Sequence, residues 1–306
     1  MYDRAAPMPT TAQISDPAAP DGDPRRARAE ALVGASLAGR YRLLRVVGAG
    51  ATGAVFEAAD GDARVAVKVM LVEDVDGTLA ERFLREARLA ARVAHPNVVA
   101  VREVARDRAT GAPFLVAEFL EGHDLRAELD ARGRLDVREA LGTLRPVAAA
   151  LAAAHARGVV HRDVKPENIF LARGADGASS PKLIDFGLSK VLDDVAPALT
   201  QTGARLGTPR YMAPELVRGE GAATPAVDVW SFGVVLHEAL TGAPLFRAAN
   251  YNALMFEVLG APVARLDAAA PGTPAWLADV AADALARDPA RRIPDGAALL
   301  AALRAG

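Results

Sequence analysis

The sequence predicts an α+β fold in which a small β-rich part is followed by a larger, mainly helical part. Between residues 41 and 119, runs rich in β-branched and aromatic side chains alternate with turn residues, and one stretch, residues 79–93, has helical periodicity. After residue 136 the apolar runs have the length and spacing of helices. The 306 residues, 51% of them hydrophobic, are enough to form the hydrophobic core of one large domain or of two lobes.

The charge balance and the lack of cysteine narrow the function classes. Lys and Arg number 36 and Asp and Glu 38, a net charge of −2, so we expect neither a nucleic acid nor an anionic membrane surface as partner. Without cysteine there is no disulfide framework and no thiolate metal site, which suits the reducing cytoplasm where we expect this protein.

The N-terminus shows no signal-peptide pattern. The most apolar segment, residues 227–240, carries Asp228, His237 and Glu238 and is too short to be a membrane anchor, which needs about 20 apolar residues.

Residues 1–38 are predicted to be a disordered tail, because they are rich in Ala, Pro, Asp and Arg and lack a sustained apolar period. A β-rich run from residue 41 then leads into a glycine-rich segment, Gly48-Ala49-Gly50-Ala51-Thr52-Gly53-Ala54-Val55. These glycines could open a dinucleotide-binding helix, but a strand, a turn at residues 60–62 and a second strand follow, which favours a hairpin. A glycine-rich hairpin can lay its backbone N–H groups over phosphates, and the absence of G-K-[ST] excludes a Walker-type loop.

The second strand of this hairpin carries Lys68, in Val65-Ala66-Val67-Lys68. Alone, this could be an ordinary strand lysine that faces solvent. In the helical stretch that follows, however, Glu86 lies on the same face as the apolar residues Leu79, Phe83, Ala90 and Val93. Because an unpaired carboxylate on an inward face costs several kcal/mol, we expect Glu86 to form an ion pair with Lys68.

The most informative stretch is His161-Arg162-Asp163-Val164-Lys165-Pro166-Glu167-Asn168, where a proline prevents a continuous helix. Asp163 is a candidate acceptor for a hydroxyl proton. Lys165 could neutralise a phosphate oxygen, and Asn168 could contact a metal through its amide oxygen. A strand-like run then leads into Asp185-Phe186-Gly187, whose Asp185 follows Asn168 by 17 residues. Carboxylate and amide oxygens are the ligands that Mg²⁺ prefers.

Together these motifs resemble those of the eukaryotic-type protein kinases, in the same order and at the same spacing. By this resemblance residues 161–168 are the catalytic loop. Their D-x-K-P-E-N pattern is that of the bacterial eukaryotic-like serine/threonine kinases. The resemblance covers residues 37–304 and implies a bilobal protein-kinase fold over residues 39–306, with an N-lobe at about 39–117 and a C-lobe at about 122–306. It makes Asp163, Lys165 and Lys68 catalytic, and Asn168 and Asp185 ligands of Mg²⁺ or Mn²⁺. It assigns ATP binding to Gly48, Ala49, Gly50, Gly53, Val55, Ala66, Lys68, Glu86, Glu118 and Leu120.

The same resemblance identifies residues 114–122 as the strand and hinge between the lobes. The backbone of residues 118–120 would then contact adenine, and Ala117 would stand at the gatekeeper position, which is bulkier in most members of the family. We therefore hypothesise an enlarged pocket behind the adenine site.

Residues 188–206 resemble an activation segment, with Thr200 and Thr202 as candidate autophosphorylation sites in a transient homodimer. Arg162 could pair with a phosphate there, and Thr208 would contact the catalytic aspartate and favour serine or threonine substrates.

The remainder of the chain is predicted to be helical. An N-cap at Asp136 begins a helix that runs to about residue 157, with a kink or a restart expected at Pro146. The apolar helix from residue 228 to 241 resembles the buried helix of the kinase C-lobe, with Asp228 bracing the catalytic loop. Further helices are predicted at about 251–259, 274–285 and 297–304, and the resemblance pairs Arg292 with Glu215. The last helix ends close to the final residue, so no C-terminal sensor domain is expected.

Two other functions are consistent with part of this pattern. A pseudokinase scaffold would bind partners without chemistry, although Lys68, Glu86, Asp163, Asn168 and Asp185 are all present. A small-molecule phosphotransferase of similar fold could share the nucleotide site, but it should lack the Thr208-Pro209 and Ala213-Pro214-Glu215 platform that receives a protein substrate.

Overall fold

The computed structural model describes residues 23–50, 53–71, 77–174, 177–186, 209–220 and 222–306. These residues form two lobes, each with its own hydrophobic core, and the predicted α+β division into a β-rich first lobe and a helical second lobe is confirmed. Within the described ranges, no helix combines the length and the apolar character that a membrane crossing requires.

The first lobe is built on an antiparallel sheet of six strands in the order β1-β2-β3-β4-β6-β5. The strands are β1 (Ser36–Leu37), β2 (Tyr41–Ala49), β3 (Gly53–Asp60), β4 (Ala63–Met70), β5 (Val101–Arg106) and β6 (Pro113–Glu118). The predicted hairpin is present, since β3 and β4 pair along their whole length around a turn in which Gly61 has a φ of 60°. A left-handed residue at this position is favourable for glycine because it has no Cβ.

Helices cover parts of both faces of this sheet. Helix α1 (Pro24–Glu30) lies against β2 and β3, and Ala29 at its end joins the core formed by Val65 and Val67 of β4. Helix α2 (Thr78–Ala90) lies against β5 and β6 through Phe83 and its neighbours. The period-2 alternation of β4 therefore buries its valines on the α1 side and turns Ala66 and Lys68 towards the space between the lobes.

The predicted disordered tail is wrong for residues 23–38, while residues 1–22 lie outside the described part of the chain. The side chain of Asp23 accepts a hydrogen bond from the Arg25 N–H, and Pro24 occupies the first helical position of α1, two features that start a helix. Residues 34 and 35 then exchange backbone hydrogen bonds with Leu43 of β2. This short segment is stabilised because Ala29 packs on the sheet, a contact that composition alone does not reveal.

The second lobe contains a three-stranded sheet and eight helices among the described residues. The strands, in the order β7-β8-β9, are β7 (Gly122–Asp124), β8 (Ile169–Arg173) and β9 (Ser179–Leu183). The helices are α3 (Leu125–Arg132), α4 (Val137–His155), α5 (Pro214–Val217), α6 (Ala226–Thr241), α7 (Tyr251–Gly260), α8 (Leu266–Ala269), α9 (Ala275–Ala284) and α10 (Gly296–Arg304). Short 3-10 turns form at Pro166–Asn168 and Pro209–Tyr211.

Helix α4 begins with the capping box that Asp136 predicted, in which Asp136 and Glu139 each bond the backbone N–H of the other. It continues through Pro146 as one helix, so the predicted restart does not occur. The residue four positions before the proline is Gly142, and a missing side chain there leaves the helix more room beside the pyrrolidine ring.

Helix α6 is the centre of the second lobe, since fifteen of its sixteen residues are buried. Its last residue is followed by Gly242, which has a φ of 72°. A Cβ at this position would lie 2.6 Å from the carbonyl oxygen of Gly133. At the other end, the predicted pair of Arg292 and Glu215 is confirmed as a buried, bidentate salt bridge with N–O distances of 2.7 and 2.9 Å. Arg292 also donates to the carbonyl of Ala226, so this pair holds the start of α6 in place.

Candidate active site

A cavity of about 900 Å³, part of it open to solvent, lies between the two lobes. Its walls are largely apolar, and two charged groups, Lys68 and Asp185, lie near each other within it. An apolar cleft with a few polar groups is the usual form of a small-molecule site. The lining residues are Val47, Val55, Ala66, Lys68, Ala90, Val99, Val101, Leu115, Ala117, Glu118, Phe119, Leu120, Phe170, Ile184, Asp185 and Phe186.

Five of the ten predicted nucleotide-binding residues line this cavity, namely Val55, Ala66, Lys68, Glu118 and Leu120. The four glycine-loop residues, Gly48, Ala49, Gly50 and Gly53, lie at the turn between β2 and β3, where the Gly50 N–H donates to the Gly53 carbonyl. At Gly53 a Cβ would lie 2.0 Å from the Val69 carbonyl oxygen, so glycine is required for β3 to approach β4. The tenth residue, Glu86, does not line the cavity.

The catalytic-loop backbone is held by Asp228 of α6, as predicted. The Asp228 carboxylate accepts hydrogen bonds from the N–H groups of His161 and Arg162, both at 2.7 Å, and contacts the His155 ring at 2.9 Å. These bonds fix Arg162 in a left-handed conformation with a φ of 66°. Such a conformation costs a non-glycine residue on the order of 1 kcal/mol and is found where the surroundings impose it, often at functional sites.

Asp163, Lys165 and Asn168 converge on one point. The Lys165 ammonium lies 2.9 Å from Oδ2 of Asp163, and the Asn168 amide nitrogen donates to the same oxygen at 2.9 Å and to the Asp163 carbonyl at 2.7 Å. Burial of Lys165 favours its neutral form, but the negative charge of Asp163 outweighs this effect and raises the pKa of Lys165. Lys165 is therefore cationic at neutral pH, which suits it to contact a phosphate.

His161 links the catalytic loop to the segment that carries Asp185. Its Nδ1 accepts the Asp163 N–H, so Nε2 carries the proton and donates to the Ile184 carbonyl at 2.9 Å. The ring is fully buried and lies 4.5 Å from the ring of Phe186, measured between centroids. Burial lowers the pKa of His161, so the ring is neutral and acts as a fixed spacer between the two segments.

Asp185 is placed opposite the catalytic loop in an unusual backbone conformation, with a φ of 59°. Its Oδ1 accepts a hydrogen bond from the Lys68 ammonium at 2.8 Å. Burial alone would raise the pKa of Asp185, but the charge and the hydrogen bond of Lys68 outweigh it and hold the pKa below its usual value. Asp185 is therefore ionised, as a metal ligand must be.

The predicted ion pair between Lys68 and Glu86 is wrong for this structure. Among the described residues, Lys68 pairs with Asp185, and Glu86 pairs with its neighbour Arg85 at 3.2 Å. Glu86 does lie on the face of α2 that carries Phe83 and the other buried residues, but its side chain is only partly buried. Because water reaches the carboxylate, it does not need the lysine to offset the cost of burial.

The donor atoms present fit a divalent cation. Asn168 uses its amide nitrogen for both bonds to Asp163, which leaves its amide oxygen for a metal, and Oδ2 of Asp185 is not occupied by Lys68. A hard cation such as Mg²⁺ prefers this set of one carboxylate and one amide oxygen and keeps several waters. The two residues are therefore suited to hold Mg²⁺ or Mn²⁺.

Ala117 lies on β6 between the linker to the second lobe and the part of the cavity beside α2. The cavity does not end at this residue, since its lining includes Ala90 of α2, Val101 of β5 and Leu115 of β6. A small side chain at position 117 therefore leaves the front of the cavity continuous with the space beside α2.

Most of the apolar lining was not predicted from the sequence, including Val47, Val99, Phe170 and Ile184. Val47 directly precedes Gly48 and Ile184 directly precedes Asp185, a signal that would have sufficed for these two residues, whereas Val99 has none of these motifs beside it. The predicted activation segment of residues 188–206 lies outside the described residues, as do Thr200, Thr202 and Thr208.

Comparison with known proteins finds one family over most of the chain. A family model described as protein kinase domain matches residues 41–299. Serine/threonine-protein kinase PknA of Mycobacterium tuberculosis is 38% identical over 283 residues, which are 90% of this chain and 63% of PknA. PknL of the same organism is 40% identical over 277 residues, 90% of this chain and 67% of PknL. This chain thus spans 63% of the length of PknA.

Solved structures give the same result for the fold. The kinase domain of Mycobacterium tuberculosis PknI, in its crystal structure, has a TM-score of 0.69 and 27% sequence identity to this chain. The superposition covers 89% of this chain and 98% of that kinase domain. The predicted bilobal arrangement is therefore confirmed by both lobes together, and not by an isolated motif.

Proposed function

This chain belongs to the protein kinase domain family, and on that premise we propose that it is a serine/threonine protein kinase. It transfers the γ-phosphoryl group of ATP to serine or threonine hydroxyls of proteins. The observation that carries the proposal is the convergence of Asp163, Lys165 and Asn168 in one loop, together with the pair of Lys68 and Asp185 in the cavity between the lobes. This arrangement supplies a proton acceptor, two cations and two oxygen ligands around one point.

In the proposed reaction, Asp163 orients the substrate hydroxyl and accepts its proton as the oxygen attacks the γ-phosphorus in line with the leaving ADP oxygen. Lys165, already beside Asp163, stabilises the transferring group. Lys68 and the backbone of the glycine turn hold the remaining phosphates. Positioning of this kind is worth up to about 7–11 kcal/mol in well-aligned systems, so most of the rate enhancement would come from placement and electrostatics.

Asp185 and Asn168 would hold the divalent cation, which when bound would neutralise charge on the phosphates. The ionised state of Asp185, maintained by Lys68, supports this role. Asp228 does not touch the reactants but positions the loop that carries Asp163.

We also propose that activation involves phosphorylation of Thr200 or Thr202 by a second copy of the chain in a transient homodimer. Arg162 supports this proposal, because its buried Nε has no hydrogen-bond partner among the described residues. A buried guanidinium nitrogen without a partner is costly, and a phosphate would satisfy it.

The absence of cysteine suits a cytoplasmic location, which we propose as well.

The experiment that tests the proposed function compares acceptor classes. The chain is incubated with Mg-ATP and either a general protein substrate or a panel of aminoglycosides, and phosphate transfer is measured for the wild type and for Asp163→Asn. We expect transfer to the protein only, reduced about 10²- to 10⁴-fold in the variant. Transfer to an aminoglycoside would favour the small-molecule phosphotransferase. Nucleotide binding without any transfer would favour a pseudokinase scaffold.

A further inference from the structure

The segment between the lobes, residues 118–121, is held by side chains from both of them. Oε1 of Glu118 accepts a hydrogen bond from the Lys182 ammonium at 2.7 Å and another from the Ala100 N–H at 2.8 Å. Lys182 belongs to β9 of the second lobe and precedes Asp185 by three residues. The end of β6 is thus tied directly to the strand that leads to the proposed metal ligand.

A second cation holds the same segment from the first lobe. The Arg64 guanidinium of β4 lies 4.3 Å from the centre of the Phe119 ring and donates to Oε1 of Glu121. Its Nε donates at 2.7 Å to Glu57 of β3, a buried carboxylate that also pairs with Arg45. The bond to Glu57 restrains the Arg64 guanidinium at the position where it contacts Phe119.

We propose that Lys182 and Arg64 are positioning residues for nucleotide binding, which fix the backbone of residues 118–121 in the form that receives the purine. We call the set of Arg64, Glu118, Phe119, Glu121 and Lys182 the hinge clamp. The inference rests on the proposed function, since it assigns residues to the adenine side of that site. Neither cation need contact the nucleotide, and each acts through a residue of the segment.

The two halves of the hinge clamp are unequal. The side chains of Lys182 and Glu118 are 17% and 24% exposed, whereas those of Arg64 and Glu121 are 43% and 59% exposed. Solvent screens an exposed ion pair and leaves little net interaction. In addition, Glu118 lines the cavity itself and Glu121 does not. Lys182 is therefore the stronger positioning residue, and Arg64 acts mainly through its stacking on Phe119.

The test measures the affinity of the full chain for adenosine and for Mg-ATP by calorimetry, together with kcat. The variants are Lys182→Met, Lys182→Arg and Arg64→Met. Arg265→Met is the matched control, because it removes a cation from a carboxylate pair far from the cavity. We expect Lys182→Met to weaken the binding of both ligands about 3- to 10-fold and Arg64→Met about 2- to 3-fold. The reason is that a segment which is no longer held in its binding conformation must be ordered when the ligand binds, and this cost lowers the affinity. Lys182→Arg restores most of the affinity, and kcat at saturating ATP changes little.

A second readout separates positioning from a general loss of stability. Hydrogen exchange of the amides in residues 118–122 is expected to be faster in Lys182→Met and unchanged in Arg265→Met. Equal affinities in the wild type and Lys182→Met would overturn the inference, and so would an equal loss in the control. If the wild type binds adenosine but transfers no phosphate, the proposed function fails while these affinities still decide the role of Lys182. If the wild type binds neither adenosine nor Mg-ATP, the inference and the proposed function are both wrong.

Discussion

The ammonium nitrogen of Lys68 lies 2.8 Å from Oδ1 of Asp185, and no ion pair joins Lys68 to Glu86 among the described residues. Lys68 therefore pairs with the proposed metal ligand, Asp185, and not with Glu86 of helix α2. Because Lys68 occupies Oδ1, Oδ2 of the same carboxylate is left for a cation, and Asp185 can serve both partners.

The first prediction concerns Glu86. Because Lys68 pairs with Asp185 and Glu86 pairs with the exposed Arg85, Glu86→Gln should leave kcat within about 5-fold of the wild type, since such an exposed pair contributes at most about 1 kcal/mol. The thermal stability of the nucleotide-free protein should also change little, since among the described residues Glu86 pairs with the exposed Arg85. The control is Glu81→Gln, which removes an exposed carboxylate from the same helix. A fall in kcat of more than about 10-fold in Glu86→Gln but not in Glu81→Gln would mean that Lys68 takes Glu86 as its partner during turnover.

The second prediction concerns Ala117. Since the cavity continues past Ala117 to Ala90, Val101 and Leu115, ATP analogues with a bulky apolar group on N6 should bind to the wild type. Ala117→Met should reduce their affinity by at least about 5-fold, because the longer side chain occupies the same space and overpacking costs about 1–3 kcal/mol. The affinity for ATP itself serves as the internal reference. Binding of the analogues that is no better in the wild type than in Ala117→Met would show that this space does not take the substituent.

The third prediction concerns the buried pair of Arg292 and Glu215. Arg292→Met leaves the Glu215 carboxylate without its bidentate partner, so the free energy of unfolding should fall by about 3–5 kcal/mol. Urea denaturation measures this loss. The double variant Arg292→Met with Glu215→Leu removes both charges and should be more stable than the single variant. A loss below about 1 kcal/mol in Arg292→Met would contradict a structural role for the pair.

Much of this architecture follows from local patterns. The hairpin of β3 and β4 is specified by alternation around Asp60-Gly61-Asp62, and the start of α4 by a capping box. The Asp228 contacts and the Arg292 pair could be predicted because the resemblance fixes both partners at definite positions. Each of these features depends on residues close in sequence or on a complete motif.

The features that were missed depend on distant contacts. Helix α1 is stable because it covers β2 and β3, and nothing within residues 24–30 reveals that partner. The direction in which Lys68 points depends on how far α2 stands from β4, which the periodicity of α2 does not determine. The bond from Lys182 to Glu118 joins residues 64 positions apart with no motif around Lys182. Periodicity identifies the face of an element but not its distance from the next one.

The fourth prediction concerns pH. Burial lowers the pKa of His161 below its ordinary value of 6.5, so the folded protein keeps the ring neutral where the unfolded chain takes up a proton. The free energy of unfolding should therefore fall as the pH drops through about 6.5. Burial also lowers the pKa of His95 and His237, which contribute in the same direction. In His161→Phe the slope of stability against pH between 7 and 5.5 should be smaller, as measured by thermal unfolding. Identical slopes would exclude His161 as a source of this dependence.

The most direct test of the proposed kinase activity is the intact mass of the purified, dephosphorylated chain after incubation with Mg-ATP, followed by mapping of any phosphate. Asp185→Asn, which removes the proposed metal ligand, is the matched variant. We predict added phosphate in the wild type, located on Thr200 or Thr202, and none in Asp185→Asn. A wild type that binds ATP but gains no phosphate and phosphorylates no protein substrate would contradict the account.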